Sequence, residues 1–256
     1  MRREPTLGTA RPNPKALLDD LLARVAAPRA VTLLDLACGP GRVALDLARP
    51  FEKVWANDLE PEMIEVGKQQ AARRGIGNVT WLAGRAKDLA RGSVDFITIG
   101  EAFHRLDQGM IVRMALSWLK PGGCLATLGT DGILDGREPW QRTTAEIAER
   151  WKRRAFPSGW AQGLPGADIG PEAGGRVLRR AGLVDVESRS FTEPLDSSFE
   201  EIVGYLRSTP TCSEKGLRAD FATFQAELQA ALVAEESQVR FHGELSAGHT
   251  IGRKPK

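Results

Sequence analysis

The sequence predicts an α/β fold with a parallel sheet wrapped by helices, and three observations carry that reading. From residue 31 to 129, short apolar runs of strand length alternate with segments of helical rhythm. The connections are short, as they are where each helix returns the chain to lay the next strand parallel to the last. The first run, in "LLDLACGPGRVALDLA" (33–48), breaks into glycines and a proline directly before a helix. In open parallel sheets, ligands collect at such carboxyl ends of strands.

Taken in order, residues 1–14 are rich in Pro, Gly and Arg and read as a fraying arm. "ALLDDLLARV" spaces its leucines as a helix. "VTLLDL" (31–36) is a continuous apolar run, as expected of a strand covered on both faces. "RVALDLARPF" puts Val43, Leu47 and Phe51 on one helical face. "KVWAND" (53–58) is the second strand. "PEMIEVGKQQAARRG" opens on Pro61 and stops at Gly75, the expected start and stop residues of a helix. "NVTWLAG" (78–84) and "VDFITIG" (94–100) are the third and fourth strands. Asp107 caps a helix that halts at Lys120-Pro121-Gly122-Gly123, and "CLATLG" (124–129) is the fifth strand. Beyond Thr130 the rhythm breaks, and 131–175 reads as a mostly helical insertion suited to covering a site. "LVDVESRSF" (183–191) and "SQVRFHGELSAGHTIGR" (237–253) are two late strands, with helical patterns "SFEEIVGYLRS" and "ADFATFQAELQAALVAEE" between them.

Composition narrows the function. With 256 residues, 42% hydrophobic and 27% charged, the chain can bury a sizeable core. Its 35 basic and 33 acidic side chains are well mixed, so there is no electrostatic case for a nucleic-acid groove. The three cysteines (Cys38, Cys124, Cys212) are far apart and, with three scattered histidines, suggest neither a disulfide frame nor a metal site. No run reaches the ~18 apolar residues that span a bilayer. The expectation is a soluble, cytoplasmic protein with no membrane partner.

Why a buried strand should end in glycines follows from what glycine permits. Gly39 and Gly41 lack Cβ atoms, so the backbone can turn tightly and a ligand can lie against it. The helix starting near Arg42 offers unpaired N–H groups to an anionic moiety. The second strand ends in Asn57-Asp58, where a carboxylate can accept from both hydroxyls of a ribose, with helix capping as the plain alternative. The third ends in small residues on which an adenine could rest.

Together, "LLDLACGPGRVALDLA", "VWANDLEPEMIEVGKQQA", "TWLAGRAKDL", "VDFITIGEAFHRLD" and "WLKPGGCLAT" resemble the class I S-adenosylmethionine-dependent methyltransferases. "FEEIVGYLRS" resembles their small-molecule, trans-aconitate methyltransferase-like branch. The resemblance implies a Rossmann-like, doubly wound sheet of seven strands, mostly parallel with the last antiparallel, plus a helical lid after the fifth. Residues 1–30 would be an arm and helix, and 31–256 the methyltransferase domain, with 131–175 and 195–236 covering the substrate. It implies S-adenosyl-L-methionine as cofactor and a small-molecule partner. Ala37, Cys38, Gly39 and Gly41 would hold its amino-acid part and Asp58 the ribose, with Met63 nearby and Asp35 and Leu59 also in the cofactor site. Arg85 and Ala86 would flank the adenine, and Gly100 and Glu101 would line the floor. Where the family often has an acidic residue accepting from the adenine amino group, this chain has Arg85, which cannot accept. Backbone near Ala86, or Asp88, would replace it.

Transfer from a sulfonium needs a base only if the nucleophile arrives protonated. His104, four residues past the fourth strand, is the candidate base, with a packed structural histidine as the alternative. Trp160 and Tyr205 are candidate substrate contacts, and core packing is the alternative for each. Three rival functions stay open at this level: a cyclase or binding module that keeps the cofactor without methyl transfer, a nicotinamide oxidoreductase and a nucleic-acid methyltransferase. "GEAFH" stands where a base methylase would carry an Asn-Pro-Pro-aromatic motif.

Overall fold

The computed structural model describes residues 13–25, 31–85, 92–159, 172–235 and 240–256. These residues fall into two compact units, one built on 13–129, 172–191 and 247–256, the other on 130–159 and 192–246.

The first unit contains the predicted alternation. Its elements are α1 (Lys15–Ala23), β1 (Thr32–Leu36), α2 (Arg42–Leu47), β2 (Lys53–Asp58), α3 (Pro61–Arg73), β3 (Val79–Ala83), β4 (Val94–Gly100), α4 (Gln108–Trp118) and β5 (Leu119–Thr130). The strands are ordered β3-β2-β1-β4-β5 and these five run parallel. Two more strands, β6 (Val184–Ser198) and β7 (Arg240–Arg253), complete a seven-stranded sheet in the order β3-β2-β1-β4-β5-β7-β6. Gly122 pairs with Lys254, and Asp131, just past β5, pairs with Ser246, so β7 runs antiparallel to β5. The order reverses between β1 and β4, which puts the strand ends of both at the crevice.

β1 and β4 are apolar because both faces are covered: Leu33, Leu34, Phe96 and Ile97 are fully buried. Caps fix the helix starts. Pro61 occupies the first turn of α3, and the Asp107 carboxylate accepts from the Met110 amide at 2.8 Å at the start of α4. Asp107 is thus a cap, as the sequence predicts. α1 is pinned through Asp20, whose carboxylate accepts from Arg24 (2.8 Å) and Arg189 (2.9 Å) and bonds the buried His249 at 2.7 Å.

Two strand boundaries differ from the sequence reading. β5 starts at Leu119 instead of 124 because the Gly122 amide donates to Lys254 and the Gly123 carbonyl accepts from it. Pairing with a strand 130 residues away carries a helix-stop sequence into the ladder. β6 likewise continues to Ser198, and a helix, α6 (Ala173–Arg180), precedes it.

The second unit is mainly helical: α5 (Pro139–Ala155), α7 (Phe199–Ser208), α8 (Glu214–Leu217) and α9 (Phe221–Glu235). Its core gathers Trp140, Trp151, Leu206, Phe224 and Leu228. Trp140 donates through its indole N–H to the His242 carbonyl at 2.7 Å, so this tryptophan is core. Ser198 and Glu201 form a reciprocal capping box at the start of α7. Among the described residues no helix is long and apolar enough to cross a membrane, and no cluster of ligating side chains could hold a metal.

Candidate active site at the carboxyl ends of β1, β2 and β4

The site is built around two carboxylates on neighbouring strands. Asp35 lies within β1, almost fully buried. Its Oδ1 accepts from the Thr98 hydroxyl of β4 at 2.8 Å and its Oδ2 from the Ala44 amide of α2 at 3.0 Å. One side chain therefore ties together the first strand, the fourth strand and the helix after the glycine turn. Burial raises its pKa to about 7, against the two hydrogen bonds and with some help from the negative charge of Asp58.

Asp58 ends β2. Its Oδ2 accepts from the Gly39 amide at 2.7 Å and its Oδ1 from the Glu60 amide at 2.9 Å. Each carboxylate oxygen retains a second lone pair. The Cys38 amide donates to the Asn57 carbonyl at 3.0 Å, so the start of the turn is fastened to β2 at two successive residues. Burial pushes the Cys38 thiol pKa far up, so it stays protonated and is no nucleophile.

The two glycines of the turn have different jobs. Gly39 has φ +55°, and a Cβ built there would meet nothing within 4 Å. Gly41 has φ +77°, and a Cβ there would lie 2.7 Å from Trp81 Cζ3. The open side expected at both glycines exists only at Gly39, because the Trp81 indole fills the space at Gly41. Gly84, at φ +106°, is also open on its Cβ side. Ala37 (φ +51°) and Glu101 (φ +55°) hold left-handed conformations without being glycine, at the ends of β1 and β4. Such strain clusters where a site dictates the backbone.

The remaining residues named from sequence fall around this frame. Leu59 projects into solvent, 63% exposed, and Met63 is half-buried in the first turn of α3. Arg85 is exposed at the end of β3, while Ala86, Asp88 and Trp160 lie outside the described residues. Gly100 sits against Val43 of α2, and Glu101 Oε1 is 3.9 Å from Arg42 Nη2. His104, half-buried, occupies a single turn of 3₁₀ helix over Phe103–Arg105. Burial lowers its pKa, the Arg105 charge adds to this, and Glu101 opposes it, so the ring is neutral near pH 7. Tyr205, half-buried in the second unit, has its hydroxyl against the Gly132 backbone.

Sequence reasoning missed three contributors. Thr98 and Trp81 read as ordinary strand residues. Asn57 is the third, and its amide donates to the Leu82 and Gly84 carbonyls, both at 2.9 Å, holding the loop that carries Arg85. Its signal was available: an amide in an otherwise apolar strand has to find partners when buried.

An acidic residue at the end of β2 accepts ribose hydroxyls in dinucleotide binders too, so Asp58 points to a ribose and does not by itself choose the cofactor. A cationic sulfonium compound with a ribose fits this arrangement. The Asp58 oxygens can accept ribose hydroxyls, the turn at Gly39 is open, and the exposed Leu59 and open Gly84 offer apolar surface to a purine.

Comparison with known proteins agrees. Residues 33–123 match the methyltransferase domain family. The demethylmenaquinone methyltransferase of Geobacillus kaustophilus is 28% identical over 190 residues, covering 68% of this chain and 80% of the relative. The ubiquinone biosynthesis O-methyltransferase of Xanthomonas campestris is 34% identical over 148 residues, covering 56% of this chain and 58% of the relative. A solved structure from Anaeromyxobacter dehalogenans superposes with a TM-score of 0.68 at 21% identity, covering 96% of this chain and 97% of that one. The frame of Asp35, Gly39 and Asp58 lies within the matched segment, and the chain is an S-adenosylmethionine-dependent methyltransferase of the class I fold.

Proposed function

We propose that the protein methylates a hydroxyl oxygen or ring carbon of a small hydroxylated aromatic metabolite, with His104 receiving the acceptor's proton. When bound, S-adenosylmethionine supplies a methyl group already activated on a sulfonium. The protein's own residues are left to align and to manage one proton. Asp58 and the turn around Gly39 hold the donor's ribose and amino-acid parts. Asp35, through Ala44 and Thr98, fixes that turn relative to β4, which carries the acceptor side.

The observation that carries this reading is His104: a neutral imidazole, half-buried, just beyond β4 and beside Glu101. A phenolic acceptor must lose its proton as it attacks or soon after, and neutral imidazole accepts near pH 7. Two relatives whose names carry a quinone, demethylmenaquinone and ubiquinone, support acceptors of this class. Selection among acceptors is assigned to the helical region 131–175 and 195–236, including Tyr205.

A second reading comes from "FEEIVGYLRS", which forms α7 and resembles the trans-aconitate methyltransferase-like branch, whose name points to a carboxylic acceptor. One experiment separates the readings. Purified enzyme is incubated with methyl-labelled S-adenosylmethionine and panels of phenols, quinols and small carboxylic acids, and products are identified by mass spectrometry. Label in an alkali-stable ether or ring methyl supports the proposal, and label in an alkali-labile ester supports the carboxylate reading. Tight cofactor binding with no labelled product from either panel would overturn both readings and place the acceptor outside these classes.

A further inference from the structure

The indole of Trp81 stands edge-on between two glycines that are far apart in sequence. Trp81 sits in the middle of β3, opposite the buried Ala56 of β2. The Cζ3–Cη2 edge of its ring occupies the space that a Cβ would take at Gly41, the residue before α2. The same edge occupies the corresponding space at Gly67, in the middle of α3. A Cβ at Gly67 would also lie 3.1 Å from the Pro40 carbonyl. Glycine inside a helix is unfavourable relative to alanine, so its presence at 67 needs a packing reason. The indole is that reason.

We infer that Trp81 is a positioning residue for cofactor binding: it props the Gly39–Gly41 turn from the side away from the ligand and holds it at the height at which Asp58 reaches the Gly39 amide. The inference rests on the assignment of S-adenosylmethionine to this turn. Gly39 and Gly41 both have positive φ and no side chain, so backbone bonds and neighbouring groups must fix the turn. Its fixed points are hydrogen bonds at Cys38, Gly39 and Gly41 and the indole beneath Gly41. A turn already held in its binding geometry saves the ordering entropy of association. Trp81 acts through Gly41 and is not itself placed on the ligand.

Two variants read this contact from opposite sides. Trp81→Phe withdraws the outer ring edge while keeping an aromatic in the strand. Gly67→Ala drives a methyl into the ring, and as a glycine-to-alanine change in a helix interior it otherwise favours folding. Affinity for S-adenosylmethionine and S-adenosylhomocysteine is measured by titration calorimetry, with melting temperature alongside. Each single variant is expected to bind about fivefold to thirtyfold more weakly, the scale of one lost packing contact. The double variant should bind no worse than Trp81→Phe alone, because the methyl then enters space the indole has left. Unchanged affinity in both singles, with only the melting temperature moved, would overturn the inference and leave Trp81 as packing. Losses that multiply in the double variant would also overturn it, because Gly67 would then act independently of Trp81. If Trp81→Phe does not fold, Gly67→Ala decides alone: lost affinity supports the inference and kept affinity sinks it. Failure of the wild-type protein to bind either compound would instead overturn the cofactor assignment.

Discussion

Asp58 and Gly39 are nineteen residues apart and joined at 2.7 Å, carboxylate oxygen to backbone amide. The end of the second strand thereby fixes the turn that follows the first, the turn we propose as the cofactor cradle.

Asp58→Ala should therefore weaken cofactor binding more than the loss of ribose contacts alone. A charge-assisted hydrogen bond contributes about 1.5–3 kcal/mol, and the variant also releases the Gly39 amide. Calorimetry with S-adenosylhomocysteine should show at least a tenfold loss, a change that corresponds to ~1.4 kcal/mol. Nicotinamide dinucleotides should bind neither protein measurably. A collapsed melting temperature with unchanged affinity would make Asp58 purely structural.

Asp35 gives a pH prediction about stability. Its carboxyl has a folded-state pKa of about 7, raised from 3.8 by burial. Between those values the folded protein holds a proton that the unfolded chain has lost. Stability is thus highest below pH 4 as far as this group is concerned, and it falls as pH rises from about 4 toward 7. Asp35→Asn keeps two polar atoms for Thr98 and Ala44 and removes the titration. Its melting temperature relative to wild type should rise steadily between pH 5 and 7.5. A constant difference across that range would mean Asp35 does not titrate there.

His104→Gln should lower the rate of methyl transfer to a hydroxyl acceptor by about 10²–10⁴-fold, the usual effect of losing a general base. The neutral ring is the active form, and its pKa lies below the ordinary histidine value. Wild-type single-turnover rates should climb with pH through that depressed pKa and be level by neutral pH, while the variant loses this limb. Equal rates and profiles would leave alignment to explain catalysis.

Ser198→Ala removes one half of the capping box at α7. It should cost about 1 kcal/mol of stability with no change in cofactor affinity, because the Ser198 hydroxyl accepts from the Glu201 amide within the second unit. Thermal unfolding and calorimetry on the same preparation check both parts. An affinity loss would connect α7 to cofactor binding directly.

Amide exchange tests the assignment of acceptor selection to the helical region. Exchange over α5 and α7 should slow when S-adenosylhomocysteine and a methyl acceptor are both present, and change little with either alone. Identical protection in all states would make these helices a rigid support.

The sequence by itself determined the alternation of strands and helices, the glycine turn after β1, the acidic end of β2 and the caps at Pro61 and Asp107. Each is a local matter: apolar periodicity, a turn that only glycine accommodates, or a side chain bonding its own helix start. Tertiary structure decided what those local signals leave open. It extended β5 through Pro121-Gly122-Gly123, because a distant strand supplies the ladder partners. It made Trp140 a core residue by giving its N–H the His242 carbonyl. It gave the two turn glycines different tasks, since nothing within "CGPGR" shows that an indole 40 residues later fills the space beside Gly41. It also set the ionisation of Asp35 and His104, because desolvation depends on everything packed around a group and not on its neighbours in sequence.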